Sequence, residues 1–366
     1  MSFYLPVKIY DESDCVKKHG KELCSLGQRA LIVTGKSSAK RNGSLEDVCS
    51  VLKENDREYV LFSGVEENPS VETVLRGREL GIAERVDFVI GIGGGSPLDA
   101  AKAIALLICH PDWGEEELYG KASDTTALPT AMVPTTCGTG SEVTGVSVLT
   151  RHSLRTKMSF PARIYPKLAL IDGKYLRNTS KEILVNTAVD ALAHLIESGL
   201  SVKSSPYSEM AVSAGLAVWR DSKEVLTGEQ ESSPEAFQKM MRASTLAGIA
   251  IAQTGTSIPH ALSYILTYEE GIPHGRAAGY FLPGFLAKAP ESLRERLLTQ
   301  AGFSSVKDFL IYLQRLFGPV TVSGTTLERA FSVVSGNPAK MESAVYAPDA
   351  EILREIVYYK EGNTLS

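Results

Sequence analysis

Asp190 and His194 stand four residues apart in KEILVNTAVDALAHLIESGL (181–200), where apolar residues recur at helical spacing. Both side chains therefore leave one face of a helix. His260 and His274 follow fourteen residues apart in PHALSYILTYEEGIPHGRAAG (259–279), in the same half of the chain. The whole sequence contains only six histidines, so this grouping uses half of them. Three imidazoles and one carboxylate make a four-ligand set suited to Zn²⁺ or Fe²⁺. Such a set serves hydrolysis, redox chemistry or structure, and spacing alone does not choose among them.

The elements that would position these side chains fall into two halves. A chain of 366 residues is too long for one ordinary core and predicts two domains. In the first half, RALIVT (29–34), REYVLF (57–62), VDFVIGIG (86–93) and TAMVP (130–134) read as short buried strands. VSVLT (146–150) and LALID (168–172) read as further strands closing this half. Helical patterns beginning at Ser44, Pro69 and Ser96 alternate with them, which implies a parallel sheet covered on both faces. From about Thr179 the pattern is helical, over 181–201, 206–219, 234–252, 275–288, 291–300, 305–317 and 348–359. The expected organisation is an α/β, Rossmann-like dinucleotide-binding domain at 1–175 and an all-α metal-binding domain at 176–366.

Composition narrows the function classes. A formal net charge of −5 opposes a nucleic-acid surface, which needs a basic face. The start of the sequence shows no secretory signal, and no apolar run approaches the roughly 18 residues of a membrane helix. The five cysteines are odd in number and scattered without a C-x-x-C pair, as expected of reduced thiols in a cytoplasmic protein.

The strand ending in Gly93-Gly94-Gly95 runs straight into a helical pattern, with Ser96 as expected N-cap, Pro97 at the first helical position and Asp99 three residues after the cap. Successive glycines let backbone N–H groups approach an anion, and a helix N-terminus adds unpaired donors and positive partial charge. The reading is a pyrophosphate cradle; a tight strand-to-helix turn explains the glycines equally well. Ser96 occupies the last glycine position of G-x-G-x-x-G, so that fingerprint is incomplete. After the first predicted strand, Gly35, Lys36, Ser37, Ser38, Lys40 and Arg41 form a turn suited to a phosphate or simply to solvent. Ala30 stands where a P-loop needs glycine, which removes the ATPase reading.

PTTCGTGSEVT (134–144) joins GGGSPLDAAKAIA (93–105), D-x-x-x-H and H-x13-H in a fixed order. Together these motifs resemble the iron-containing (group III) alcohol dehydrogenase family, in the dehydroquinate synthase-like superfamily, from about residue 5 to residue 360. The resemblance implies that Asp190, His194, His260 and His274 ligate Fe²⁺, with Zn²⁺ as alternative. It implies that Gly94, Gly95, Ser96 and Asp99 lie along the pyrophosphate, that Thr135, Thr136 and Thr139 line the dinucleotide, and that Lys157 reaches the nicotinamide ribose. Asn68, in the ENP turn, matches a position near the cofactor. The implied reaction is hydride transfer between NADP(H) or NAD(H) and a small alcohol, diol or aldehyde whose oxygen is held on the metal. A homodimer formed through the front domain is also implied.

Two positions depart from that family's habit. Many members that prefer NAD carry an aspartate where this chain has Gly35; a missing carboxylate removes repulsion against a 2′-phosphate, so NADP(H) is expected over NAD(H). Many members also have a histidine where this chain has Tyr264, a position credited with proton transfer or nicotinamide positioning. Other readings are a glycerol dehydrogenase-like polyol oxidoreductase, a dehydroquinate synthase-like lyase and a non-catalytic nucleotide-binding paralogue. The lyase would need a dense basic set for its substrate, and only Lys239 and Arg242 are at hand.

Overall fold

The computed structural model describes residues 3–120, 124–154 and 156–359. Among the described residues there are eight strands: β1 Lys8–Asp11, β2 Arg29–Gly35, β3 Glu58–Val65, β4 Phe88–Gly93, β5 Thr130–Pro134, β6 Val148–Arg151, β7 Thr156–Ser159 and β8 Leu168–Ile171. Six of them form one sheet in the order β1-β8-β5-β4-β2-β3, with every neighbouring pair parallel. The strands alternate by parity between two cores. Leu31, Val33 and Val89 face one cluster, while Ala30, Ile32, Phe88 and Ile90 face the other. Helices α1 Ser44–Glu54, α2 Val71–Ala83 and α3 Gly95–Cys109 cover those faces. The chain leaves β2 toward β3 at one margin and returns to β4 on the other side of β2. That makes the carboxyl ends of β2 and β4 the topological switch point, where parallel sheets receive ligands.

Helices of eight or more residues dominate the rest: α4 Lys181–Gly199, α5 Pro206–Arg220, α6 Pro234–Thr254, α7 Ile258–Glu270, α8 His274–Ala287, α9 Glu291–Ala301, α10 Val306–Phe317, α11 Gly324–Ser335 and α12 Ala350–Val357. α4 is buried nearly all round from Leu184 to Gly199, as befits a central helix.

The chain divides into two compact units. Among the described residues, the sheet unit comprises Tyr4–Ser180 and Ser233–Gly248, and the helical unit comprises Lys181–Ser232, 249–359 and Phe3. A single cut after residue 175 misses the return of 233–248 to the sheet unit. The return has a local cause. A Cβ on Gly140 (φ +59°) would lie 2.4 Å from Gly248 Cα, so α6 meets the 138–141 turn backbone to backbone. Thr245 Oγ1 donates to Glu142 Oε1 (2.8 Å), Gln238 Oε1 accepts from Gly173 N (2.7 Å), and Arg242 pairs with Asp11.

Three further differences from the sequence reading matter. The 146–150 segment does not extend the sheet: β6 pairs antiparallel with β7 in a separate hairpin, because Val148 N is taken by Asp99 Oδ2 (2.9 Å). α3 begins at Gly95 with Gly94 as N-cap, so Ser96 lies inside the helix and not at its cap. α7 was not separated from the His260–His274 segment, although it carries His260; Pro259 occupies its first turn, where a missing N–H costs nothing, and Gly271 closes it.

Candidate active site

In the helical unit, three helices converge on Asp190. α4 supplies Asp190 and His194, the first turn of α7 supplies His260, and α8 begins with His274. The approach of α8 to α4 requires Gly275, since a Cβ there would sit 1.9 Å from Asn186 O and 3.0 Å from Asp190 Cβ. His274 is carried to the carboxylate by that contact. One ligand atom each from Asp190, His260 and His274 lies within 4.8 Å of the others. His260 Nε2 is 3.3 Å from Asp190 Oδ1 and His274 Nε2 is 3.8 Å from the same oxygen. The His194 ring stacks on His260 with centroids 4.3 Å apart. Three of the four residues predicted as ligands are grouped by their ligand atoms, and His194 adjoins them through its stacked ring.

The donor set fits a divalent cation on its own chemistry. Asp190 Oδ1 and His260 Nε2 are buried and make no hydrogen bond, although they face each other. Buried polar atoms without partners are costly in a native structure and call for an explanation such as an ion. Asp190 and His260 side chains are 5% and 2% exposed, whereas His274 is 28% exposed, so the cluster opens on the His274 side. Electrostatics agree. Burial alone would raise the Asp190 pKa, but His194, with His260 and His274, holds it well below the usual carboxylate range. Burial alone would lower the His260 pKa, but Glu197 and Asp190 outweigh it and push it up to about 9. A cation entering this site displaces that proton.

Glu197 is the functional residue that the sequence reading missed. It is fully buried on α4, and its Oε1 accepts from His260 Nδ1 at 2.5 Å and from His260 N at 3.2 Å. Its Oε2 accepts from Ser257 N. With the proton held at Nδ1, the Nε2 lone pair points to Asp190, the arrangement by which carboxylates orient metal-binding histidines. A signal existed: Asp190, His194 and Glu197 sit at i, i+4 and i+7 of one helix face.

Tyr264 lies one turn after His260, with its ring parallel to that of His274 (5.5 Å, 12°). It flanks the His274 ring and is partly exposed.

In the sheet unit, the glycine turn lies at the carboxyl end of β4. Gly94 and Gly95 have Thr136 and Thr139 directly against them: a Cβ on Gly95 would lie 2.6 Å from Thr139 Cγ2. Thr135 N donates to Gly93 O at 2.8 Å, so the β4 and β5 turns form one surface. Asn68, in left-handed conformation, donates its N–H to Ser96 Oγ (3.0 Å), and its carbonyl accepts from Thr150 Oγ1 (2.8 Å). Lys157 stands opposite Thr150 in the β6–β7 hairpin. Gly35 joins this neighbourhood, with Pro97 Cγ 4.0 Å from where its Cβ would be. Lys36, Ser37, Lys40 and Arg41 are exposed beyond it, Ser38 less so.

Asp99, expected along the pyrophosphate, has both carboxylate oxygens bonded within the chain. Ser141 Oγ donates to its Oδ1 (2.5 Å), Val148 N to its Oδ2 (2.9 Å), and Lys102 Nζ lies 3.1 Å from Oδ1. A carboxylate so committed holds the 141–148 segment against α3.

Comparison with known proteins agrees with this geometry. The profile described as iron-containing alcohol dehydrogenase matches residues 6–173, and that of the family's C-terminal domain matches residues 184–304. The NADPH-dependent butanol dehydrogenase of Clostridium saccharobutylicum is 33% identical over 294 residues, covering 77% of this chain and 72% of that protein. The 1,3-propanediol dehydrogenase of Citrobacter freundii is 31% identical over 271 residues, covering 72% of this chain and 68% of that protein. An iron-containing alcohol dehydrogenase from Thermotoga maritima superposes with a TM-score of 0.89 at 37% identity, covering 97% of this chain and 98% of that one. The chain belongs to the iron-containing alcohol dehydrogenase family and is an NAD(P)-dependent oxidoreductase.

Proposed function

We propose that this chain interconverts small alcohols or diols with their aldehydes, using NADP(H) in preference to NAD(H), with Asp190, His194, His260 and His274 holding Fe²⁺. Zn²⁺ is the alternative occupant, since intrinsic affinities do not favour iron. The observation that carries the metal assignment is the pair of buried, unpartnered atoms Asp190 Oδ1 and His260 Nε2. A divalent cation bound there supplies Lewis acidity that eases loss of an alcohol proton or polarises a carbonyl. The protein's own residues do the rest. Glu197 keeps the His260 proton at Nδ1, the partly exposed His274 and the Tyr264 ring border the side open to substrate, and the Gly94–Ser96 turn offers backbone donors to a pyrophosphate.

The cofactor preference rests on Gly35. No carboxylate stands at that turn, and Lys36, Lys40 and Arg41 are exposed beside it. A Cβ at Gly35 would meet only ordinary contacts, 3.6 Å from Val65 O and 3.8 Å from Ser38 Oγ, so Gly35→Asp fits. The expected result is a higher kcat/KM with NADPH than with NADH in the wild type, and a loss of roughly tenfold or more with NADPH in Gly35→Asp. A clear NADH preference in the wild type removes the NADP(H) reading. The closing screen measures both cofactors against short alcohols, diols and aldehydes after reconstitution with Fe²⁺ or Zn²⁺. A cytoplasmic homodimer belongs to the same proposal. Five free cysteines fit a reducing compartment.

A further inference from the structure

Residues 338–346 lie beyond both segments matched by the family profiles, yet they reach α8 and the turns that end α4 and begin α7. Lys340 Nζ, from the short helix Pro338–Met341, donates to Thr256 O at 2.7 Å, with Thr256 Oγ1 at 3.4 Å. Ser343 Oγ donates to Lys340 O (2.6 Å), which leaves it to accept from Ser257 Oγ, also at 2.6 Å. Thr256 and Ser257 form the turn that leads into α7 and His260. On the α4 side, Val202 N donates to Ser343 O (3.1 Å), Val345 N donates to Leu200 O (2.8 Å), and Ser201 and Ala344 form an antiparallel bridge. Tyr346 donates its hydroxyl to Phe285 O of α8 at 3.0 Å.

The consequence follows from Glu197. Its two oxygens are gripped by Ser257 N and His260 N, so the placement of the 256–257 turn sets where the carboxylate can hold His260 Nδ1. We propose that residues 338–346 are a positioning strap for the metal centre: Lys340 and Ser343 fix the Thr256–Ser257 turn against the end of α4, and thereby aim His260 Nε2 at Asp190. The strap acts through Ser257 and Glu197. It rests on the metal reading above. A helix start that frays at Ser257 would release Glu197 and free the His260 ring to rotate or change tautomer.

The test uses the full chain with Lys340→Met, Ser343→Ala and Ser343→Thr, and Leu353→Ala as a control that creates a cavity in α12 without removing a strap hydrogen bond. Affinity for Zn²⁺ and Co²⁺ is measured by chelator competition, the Co²⁺ site by its visible spectrum, and stability by urea unfolding. Amide exchange of residues 257–263 is followed in the metal-free protein. Lys340→Met and Ser343→Ala are expected to weaken the cation roughly 10- to 100-fold, as loss of groups supporting ligands does, with an altered Co²⁺ spectrum and faster exchange. Ser343→Thr, which keeps the hydroxyl, restores the wild-type values. Leu353→Ala loses stability and keeps the wild-type spectrum. Wild-type affinity and spectrum in both strap variants overturn the strap alone. Failure of the wild-type chain to bind either cation overturns the metal reading and the strap with it.

Discussion

Lys102 in the sheet unit and Asp190 in the helical unit are both buried charges, but their surroundings are built on opposite plans. Lys102 Nζ donates to Ser141 O (3.0 Å), Thr144 O (3.3 Å) and Val146 O (2.5 Å) and pairs with Asp99 at 3.1 Å. Every direction open to the ammonium is answered by the protein, and the result is a strut that ties α3 to the 141–148 segment. Asp190 Oδ1 and His260 Nε2, equally enclosed, have no hydrogen-bond partner. The difference separates a charge kept for architecture from a set of donors kept for something that the chain itself does not provide. Perturbed titration does not separate them. Burial pulls the Lys102 pKa down against the opposing pull of Asp99, and Asp190 is shifted too. Partner accounting does.

The strongest way to break that comparison is His260→Ala. It removes one unpartnered atom, and kcat/KM is expected to fall roughly 1000-fold, the scale of losing an electrostatic contribution of several kcal/mol. Bound metal should fall in parallel by elemental analysis, and the metal-free protein should also unfold at lower urea, because buried Glu197 loses its His260 partner. Retained metal and activity would mean that the histidines are structural. Next in size is Lys102→Met. It strands Asp99 and three carbonyls, so a loss of about 3 kcal/mol in urea unfolding is expected, with metal content per folded chain unchanged. Equal loss of metal in that variant would join the two clusters that the comparison keeps apart.

The smallest effect sharpens the comparison within the sheet unit. Lys174 Nζ meets Asp14 (2.6 Å), Asp47 (2.8 Å) and Asp172 (3.5 Å). The Lys174 hydrogen bond is the chief cause holding Asp14 below its ordinary value; burial would raise Asp47, but Lys174, Lys17 and Tyr175 outweigh it. Carboxylates depressed in the folded state contribute stability above their unfolded pKa, and that contribution fades as pH falls through the folded value. Stability should therefore drop below about pH 4 by on the order of 1 kcal/mol from this cluster, discounted for solvent screening. Lys174→Met should flatten that part of the pH dependence in urea titrations. An unchanged acid limb would show that the network has no net coupling.

Much of the candidate site was legible because its signals are local. Asp190 and His194 share a face by helix geometry alone, and the Gly93–Gly95 turn is marked by the only residue type that lets a strand enter a helix with Gly93 at φ +150°. The buried runs of β2, β4, β5 and β8 were clear for the same reason. What stayed hidden depends on distant partners. The KIYD segment is too short to announce itself and becomes β1 only by pairing with β8, at a separation of 160 residues (Lys8 with Leu168). Ser96 looked like a cap because capping residues are recognised by type, whereas Gly94 takes that place and the Ser96 hydroxyl accepts from Asn68 N. The bonds of Asp99 to Ser141 and Val148, 42 and 49 residues away, are equally invisible in a local window.

By itself, then, the sequence determined which candidate side chains stand on which local scaffolds: a carboxylate and imidazole at helical spacing, two more imidazoles, and a glycine turn after a buried strand. Short-range geometry suffices for these, because 3.6 residues per turn and a glycine's freedom do not depend on the rest of the chain. Only the tertiary structure decided which atoms meet. Gly275 lets α8 close on α4, Glu197 reaches across 63 residues to fix one proton on His260, and the 338–346 segment returns to hold the turn between them. Those contacts exist because three helices pack on one another, and packing is a property of the whole core that no window of sequence contains.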